Sequence, residues 1–185
     1  PGTVIVDNED PGFKVEQRSS EGRLKKFFSR NGEKSRDQYA GIWFWNPPAQ
    51  WTATAYSDLY GLYRHSASYI KAGKGENKVS WTGVLPKAGQ YDVFVHITEF
   101  DMPWMRRGRG PGGGGGDFNF VDDFHFSVRH DDGAEEVEID ASAENTGWVL
   151  LKDWYFSQGE AVVELSDKSK GRIVYADAVK WVEHK

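Results

Sequence analysis

A chain of 185 residues with a formal net charge of −5 has room for one buried core, and its overall field attracts neither nucleic acid nor an anionic membrane. It contains no Cys, which excludes disulfides, thiol catalysis and Cys-based zinc sites, and no apolar run approaches the roughly 18 residues that a membrane-crossing helix needs. Eight Trp, eight Tyr and eleven Phe favour strands and also supply flat faces on which a ligand can stack.

The opening Pro1-Gly2-Thr3, with neither Met nor a signal peptide, reads as a processed piece of a longer precursor. Val4-Ile5-Val6 forms a short apolar strand, stopped by the turn residues Asp7 to Gly12, and Phe13 and Val15 begin a second. From Arg18 to Arg36 the alternation disappears into a mixed-charge stretch read as a solvated loop or a short helix around Leu24 to Phe28. Trp43, Phe44, Trp45 and Trp51 then crowd a segment that Pro47-Pro48 keeps from being a central strand, so that residues 16–59 read as one long insertion. Strand signals return at Leu62 to Ile70 and Lys78 to Leu85. After the turn at Pro86 to Gly89, Tyr91, Val93, Val95 and Ile97 alternate with Asp92, Phe94, His96 and Thr98, the period of a strand with one buried face. Residues 104–117, with three arginines and the run Gly112 to Gly116, bury too little side chain to hold one shape and are expected to be a mobile loop. Phe118 to Val128 resumes the β pattern, and Asp131-Asp132-Gly133 turns it into Glu135 to Ile139 with Val137 and Ile139 inward. Trp148 to Phe156, Ala161 to Leu165 and Arg172 to Trp181 complete the series, with hairpin turns expected at Ser157 to Glu160 and Asp167 to Gly171. Many short strands and no long amphipathic helix predict a single all-β domain over residues 1–185, a jelly-roll-like β-sandwich.

Chemistry-bearing groups are sparse. Asp122-Asp123 with His125, and His130 with Asp131-Asp132, have the residue types of a metal or acid/base pair, since side chains two apart on a strand share a face. Nothing else in the sequence converges on them. Glu99 and Asp101 beside Trp104 imitate a glycosidase carboxylate pair, in a chain where carboxylates are too frequent for that to discriminate. The glycine run lacks the Gly-Lys-Ser/Thr ending of a phosphate loop, its arginines do not make a nucleic-acid site, and no Gly-x-Ser-x-Gly elbow occurs. No catalytic residue is assigned.

Val4 to Phe13, Tyr60-Gly61 with Ser66-Ala67, Trp81 with Leu85 to Val93, Gly147-Trp148 with Leu150-Leu151, and the closing Gly171 to Trp181 form a series of blocks in order. Together they resemble the golvesin C-terminal-like domain, the module associated with bacterial xanthan-lyase and FAD-oxidoreductase proteins. The resemblance implies a sandwich similar to carbohydrate-binding modules, non-catalytic and accessory to a larger extracytoplasmic bacterial protein. Its expected partners are a polysaccharide or glycan and a parent catalytic domain, with neither nucleic acid nor membrane insertion. Trp43, Trp45, Trp51 and Trp104 lie in segments without strand periodicity, so core packing explains them less easily than it explains Trp81 or Trp148, and they are the candidates to stack on sugar rings, against the plainer reading that they pin the insertion to the body. No cofactor is expected. Sandwiches of this kind commonly hold a structural Ca²⁺, for which Asp7 and Asp10, with Glu9 in the same turn, and Asp177 are candidates. The plainer reading is a hydrogen-bonded turn with a buried Asp. The alternatives to glycan binding are a structural domain packed on its parent enzyme or a partner, and a small polysaccharide-degrading enzyme.

Overall fold

The computed structural model describes residues 2–16, 41–61, 64–100, 120–141 and 146–184. The Arg18 to Arg36 stretch and the 104–117 loop lie outside these residues, as do Trp104 and Asp101. Twelve strands and no helix make up the described chain: β1 (Thr3–Asp7), β2 (Phe13–Glu16), β3 (Thr52–Ala55), β4 (Ser66–Lys71), β5 (Lys78–Leu85), β6 (Gly89–Ile97), β7 (Asp123–His130), β8 (Gly133–Asp140), β9 (Gly147–Phe156), β10 (Gly159–Ser166), β11 (Ile173–Ala176) and β12 (Ala178–Glu183). They form three antiparallel sheets, ordered β1-β12-β6-β9, β2-β5-β10-β7-β8 and β11-β4-β3. The fold is an all-β sandwich. Among the described residues no helix is long and apolar enough to cross a membrane.

The period-two pattern decides which faces meet. On β6, Tyr91, Val93, Val95 and Ile97 are buried, while Asp92, Phe94 and His96 face outward; on β7 the buried set is Phe124, Phe126 and Val128. Trp81 of β5 and Trp181 of β12 are almost fully buried members of the core that joins the four- and five-stranded sheets. Gly83 makes room for this pairing, because a Cβ there would sit 2.9 Å from the Trp181 ring. Val137 and Ile139 of β8 pack inward against the same core, as their alternation requires.

Four expectations need correction. The insertion at 16–59 contains β3, whose Thr-Ala-Thr-Ala sequence carries too little apolar surface to read as a strand. It pairs along β4 from Thr52↔Tyr69 to Ala55↔Ser66. The C-terminal run from Arg172 to Trp181 is two strands: β11 pairs with β4 in the three-stranded sheet and β12 with β1 and β6 in the four-stranded one. The segments after Phe156 and Ser166 are not hairpins, since each leads from one sheet to another. Trp148 is not a core residue; it stands on the outer face of the four-stranded sheet.

The break between β11 and β12 falls at Asp177, which is 3% exposed. Its carboxylate accepts the Tyr60 amide at 3.0 and 3.2 Å and faces His96 Nδ1 at 2.8 Å, and its carbonyl accepts the Trp81 indole N–H at 3.2 Å. A buried carboxylate is costly without partners, and here the Tyr60 amide and the His96 ring supply two. Next to it Tyr175 clamps the end of β6: the Thr98 amide donates to its hydroxyl at 2.8 Å, and the hydroxyl donates to the Thr98 carbonyl at 3.1 Å.

Candidate functional site

Residues 41–51 are held to the body by few but specific contacts. The Lys71 amide donates to the Pro48 carbonyl at 2.8 Å, the Trp43 amide to the Tyr69 hydroxyl at 3.3 Å, and the Arg172 guanidinium to the Trp45 carbonyl at 2.7 Å. The three aromatics at 43–45 alternate. Phe44 turns inward against Phe100 and Phe120, at 5.5 and 5.3 Å between centroids, while Trp43 and Trp45 face solvent with 64% and 53% of their surface exposed. The Trp45 ring is not loose, for Phe120 meets it edge-on at 5.1 Å and the Arg172 guanidinium lies 5.9 Å from its centroid. Trp51 is 7% exposed and belongs to the core. Two of the four candidate tryptophans therefore present a surface, one packs, and Trp104 is among the residues not described.

A second concentration of aromatic and polar groups lies on the outer face of the four-stranded sheet. His96 and Trp148 are direct cross-strand partners on β6 and β9, with rings 5.2 Å apart, and Tyr60 closes the group at 5.1 Å from Trp148 and 5.8 Å from His96. Lys180 of β12 lays its ammonium 4.3 Å from the Trp148 centroid and 4.6 Å from that of Phe94. Desolvation among these rings lowers the Lys180 pKa. Beside this cluster, where β6 ends and β9 begins, a cavity of about 340 Å³ is lined by Asp58, His96, Ile97, Thr98, Glu99, Thr146 and Gly147. Beyond the outward register of His96, nothing in the residue pattern points to this grouping, because Tyr60, His96, Trp148 and Asp177 are brought together only by tertiary structure.

The carboxylates proposed for calcium do gather at one end of the same sheet. Asp7, at the end of β1, pairs with Ala178, the residue after Asp177; the Asp10 carboxylate accepts the Asp7 amide at 2.8 Å, and that of Asp7 accepts the Asn8 amide at 2.7 Å. Burial, with the negative charges of Asp177, Asp10 and Glu9, pushes the Asp7 carboxyl up to about 7 against the opposing Asn8 N–H. Asp177 is raised as well, by its burial, although His96 and the Tyr60 amide act in the other direction.

Asp123, His125 and Glu138 are the one group of three among the described residues whose ligand-type atoms all lie within 4.8 Å of one another. His125 Nε2 is 2.9 Å from Asp123, and its other ring nitrogen is 3.9 Å from Glu138, its cross-strand neighbour. A cation is already supplied there, with Lys170 Nζ 3.1 Å from Glu138 and 3.5 Å from Asp123. Burial would raise the Asp123 carboxyl, but hydrogen bonds from the Lys170 amide, the Ser169 hydroxyl and His125 hold it at about 2. This arrangement fastens the β10–β11 connection to β7. Asp131 is likewise structural, its carboxylate accepting the Ser157 amide and hydroxyl at 2.8 and 2.7 Å, and His130 stacks on Trp154.

No curated protein matches the chain. Solved structures that resemble it include the following two. A Paenibacillus xanthan lyase aligns over 100% of this chain and 13% of its own length, at 22% identity and a TM-score of 0.65. A Podospora anserina GH26-CBM35 β-(1,4)-mannanase aligns over 100% of this chain and 28% of its own, at 12% identity and a TM-score of 0.45. The first likeness is one of fold, and the second is too distant to bear on it. The chain thus spans a small part of the lyase it resembles. Over residues 116–183, which carry β7 through β12, it matches the family model of the Golvesin C-terminal domain.

Proposed function

We propose that this chain is a non-catalytic accessory module of a larger bacterial extracytoplasmic protein, and that it holds that protein to polysaccharide through Trp43 and Trp45. The observation that carries the reading is the exposure of these two indoles, at 64% and 53%, on a segment tied down by β4 and Arg172. An apolar ring face that is fixed before binding loses little side-chain entropy when a sugar stacks on it. The fold match to one part of a xanthan lyase supports the accessory role, since this chain spans 13% of that protein.

Affinity electrophoresis through gels containing xanthan, galactomannan or hydroxyethyl cellulose tests the reading. At least one polymer should retard the domain, and Trp45→Ala should abolish the retardation while leaving the melting curve in place. Wild-type mobility unchanged in every gel would remove the proposal.

A second reading, docking on a protein partner or on the parent enzyme, has one observation in its favour. Ile5, Lys180, Phe94 and Leu150 form a single cross-strand row over all four strands of one sheet, with Ile5 and Leu150 exposed. A structural calcium held by Asp7, Asp10 and Asp177 is part of the first reading. Its support is the concentration of negative charge that raises Asp7. Against it, the carboxylate oxygens of the three residues do not all come within 4.8 Å of one another, as the ligand-type atoms of Asp123, His125 and Glu138 do. A calcium-dependent rise in melting temperature, reversed by EDTA, is the expected sign of the ion; identical curves would count it out.

A further inference from the structure

We infer that the Trp43–Trp45 platform selects acidic polysaccharide, with Arg172 and Lys71 as the cations that meet the carboxylate groups of the strand. The inference rests on the reading of these two tryptophans as a glycan platform, and adds to it a ligand class and two specificity-determining residues.

Both cations are tied to the segment that carries the indoles. The Arg172 guanidinium donates from Nη2 to the Trp45 carbonyl at 2.7 Å and lies 5.9 Å from the centroid of the Trp45 ring. Lys71 ends β4, and its amide donates to the Pro48 carbonyl at 2.8 Å. Tyr69, two residues before Lys71, projects from the same face of β4, and its hydroxyl accepts the Trp43 amide. The exposed Lys71 side chain therefore leaves the strand on the side where the platform segment crosses it.

Neither cation has a counter-ion among the described residues. Lys78, Lys87, Arg129, Lys152 and Lys170 each pair with a glutamate, whereas no carboxylate forms an ion pair with Arg172 or Lys71. The Nε of Arg172 is buried without an acceptor, so inside the fold only the Trp45 carbonyl and the indole ring answer its charge. The N–H groups that remain on its terminal nitrogens have the planar fork that fits a carboxylate at two points. A sugar stacked on the exposed part of the Trp45 ring brings its own carboxylate, or that of the next sugar along the strand, to this guanidinium. A neutral strand gains the ring contact only. The chain as a whole carries a net charge of −5 and repels a polyanion, so a preference for acidic strands has to come from cations at the platform itself.

The test is isothermal titration calorimetry of the whole chain, in EDTA, with polygalacturonate and alginate and with the same two polymers after their carboxyl groups are reduced to alcohols. Reduction keeps each backbone and removes only its charge. At least one acidic polymer should bind about tenfold more tightly than its reduced form, the scale of one charge-assisted hydrogen bond. Arg172→Gln should remove about that tenfold, and Lys71→Gln about threefold, as for an exposed ion pair. Arg172→Lys, which keeps the charge and loses the fork, should fall between wild type and Arg172→Gln. An Arg172 that only anchored the segment would, as Gln, weaken acidic and reduced polymers by the same factor. Lys71→Gln, at an exposed side chain, keeps the test open if Arg172→Gln fails to fold. The inference is overturned if the reduced polymers bind as tightly as the acidic ones, or if acidic binding is unchanged in Lys71→Gln and either unchanged in Arg172→Gln or weakened there equally for both polymer forms. Neutral polymers bound through Trp45, with acidic ones bound no better, overturn this inference and leave the platform standing. No binding to any polymer, acidic or neutral, removes the platform itself.

Discussion

Replacing Asp7 by Asn should make the protein more stable above neutral pH and leave it nearly unchanged in acid. The folded environment raises this carboxyl from 3.8 to about 7, first through burial and then through Asp177, Asp10 and Glu9. A carboxyl raised by folding means that the native state binds the proton more tightly than the unfolded chain. Its contribution is therefore fully present below pH ~4, is lost as the pH climbs from ~4 to ~7, and stays lost above that. A displacement of about three pH units is worth at most roughly 4 kcal/mol, and because the side chain is only partly buried, solvent screening cuts this to about 1–2 kcal/mol. Asn keeps an oxygen to accept the Asn8 amide and carries no charge to desolvate. For a domain of this length that is roughly 2–8 °C in melting temperature. The assay is thermal unfolding followed by circular dichroism at pH 4, 5.5 and 8, with EDTA present, for wild type and variant. The gap between them should open with rising pH. A gap of the same size at all three values, or a variant less stable at pH 8, would refute the electrostatic reasoning. Repeating the pH 8 measurement in calcium adds a second result: if the ion binds at Asp7, the order of the two proteins reverses.

Further outcomes follow from burial and from hydrogen bonds. Trp45→Ala should cost about 1 kcal/mol or less by chemical denaturation, since half of the ring is already in water, whereas Trp51→Ala should cost about 3–5 kcal/mol because Trp51 is 7% exposed in the core. Equal losses at the two sites would contradict the placement of the 41–51 segment. Gly83→Ala should lose about 1–3 kcal/mol in urea unfolding, as the new methyl would meet the Trp181 ring at 2.9 Å and neither partner has space to yield; a neutral result would show that the ring can move. Asp123 has a depressed pKa, so its contribution is present above pH ~4 and drains away as the pH falls through about 2. Asp123→Asn should accordingly narrow its deficit against the wild type between pH 4 and pH 2, as read from acid unfolding curves.

The strands whose side chains alternate strongly, such as β6 and β7, were legible because burial on one face writes a period of two into the residues. β3 was not, since Thr and Ala carry little apolar contrast and its pairing with β4 is a tertiary fact. The last two strands read as one because every residue from Ile173 to Val179 is buried and all but Asp177 are apolar or aromatic, so that only the pairing partners reveal the change of sheet at Asp177. For the candidate sites, the reading of Trp43 and Trp45 came from the lack of periodicity around them. That signal could not separate them from Trp51, which a single turn of the chain carries into the core. Trp148 misled in the opposite way: it lies in a clear strand, on the face that meets His96 and Lys180 instead of the core.

The pairing of β1 with β12 has a mechanical consequence. Thr3 lies opposite Val182, and the Glu183 amide donates to the Gly2 carbonyl at 2.7 Å, so the polypeptide enters and leaves the domain at one point. Tension applied through flanking segments would act across this pair as on a zipper, opening its hydrogen bonds one after another from the Gly2 end instead of loading them together. β1, at the sheet margin, would detach first and at low force, taking Asp7 away from Asp177 before the remaining strands yield.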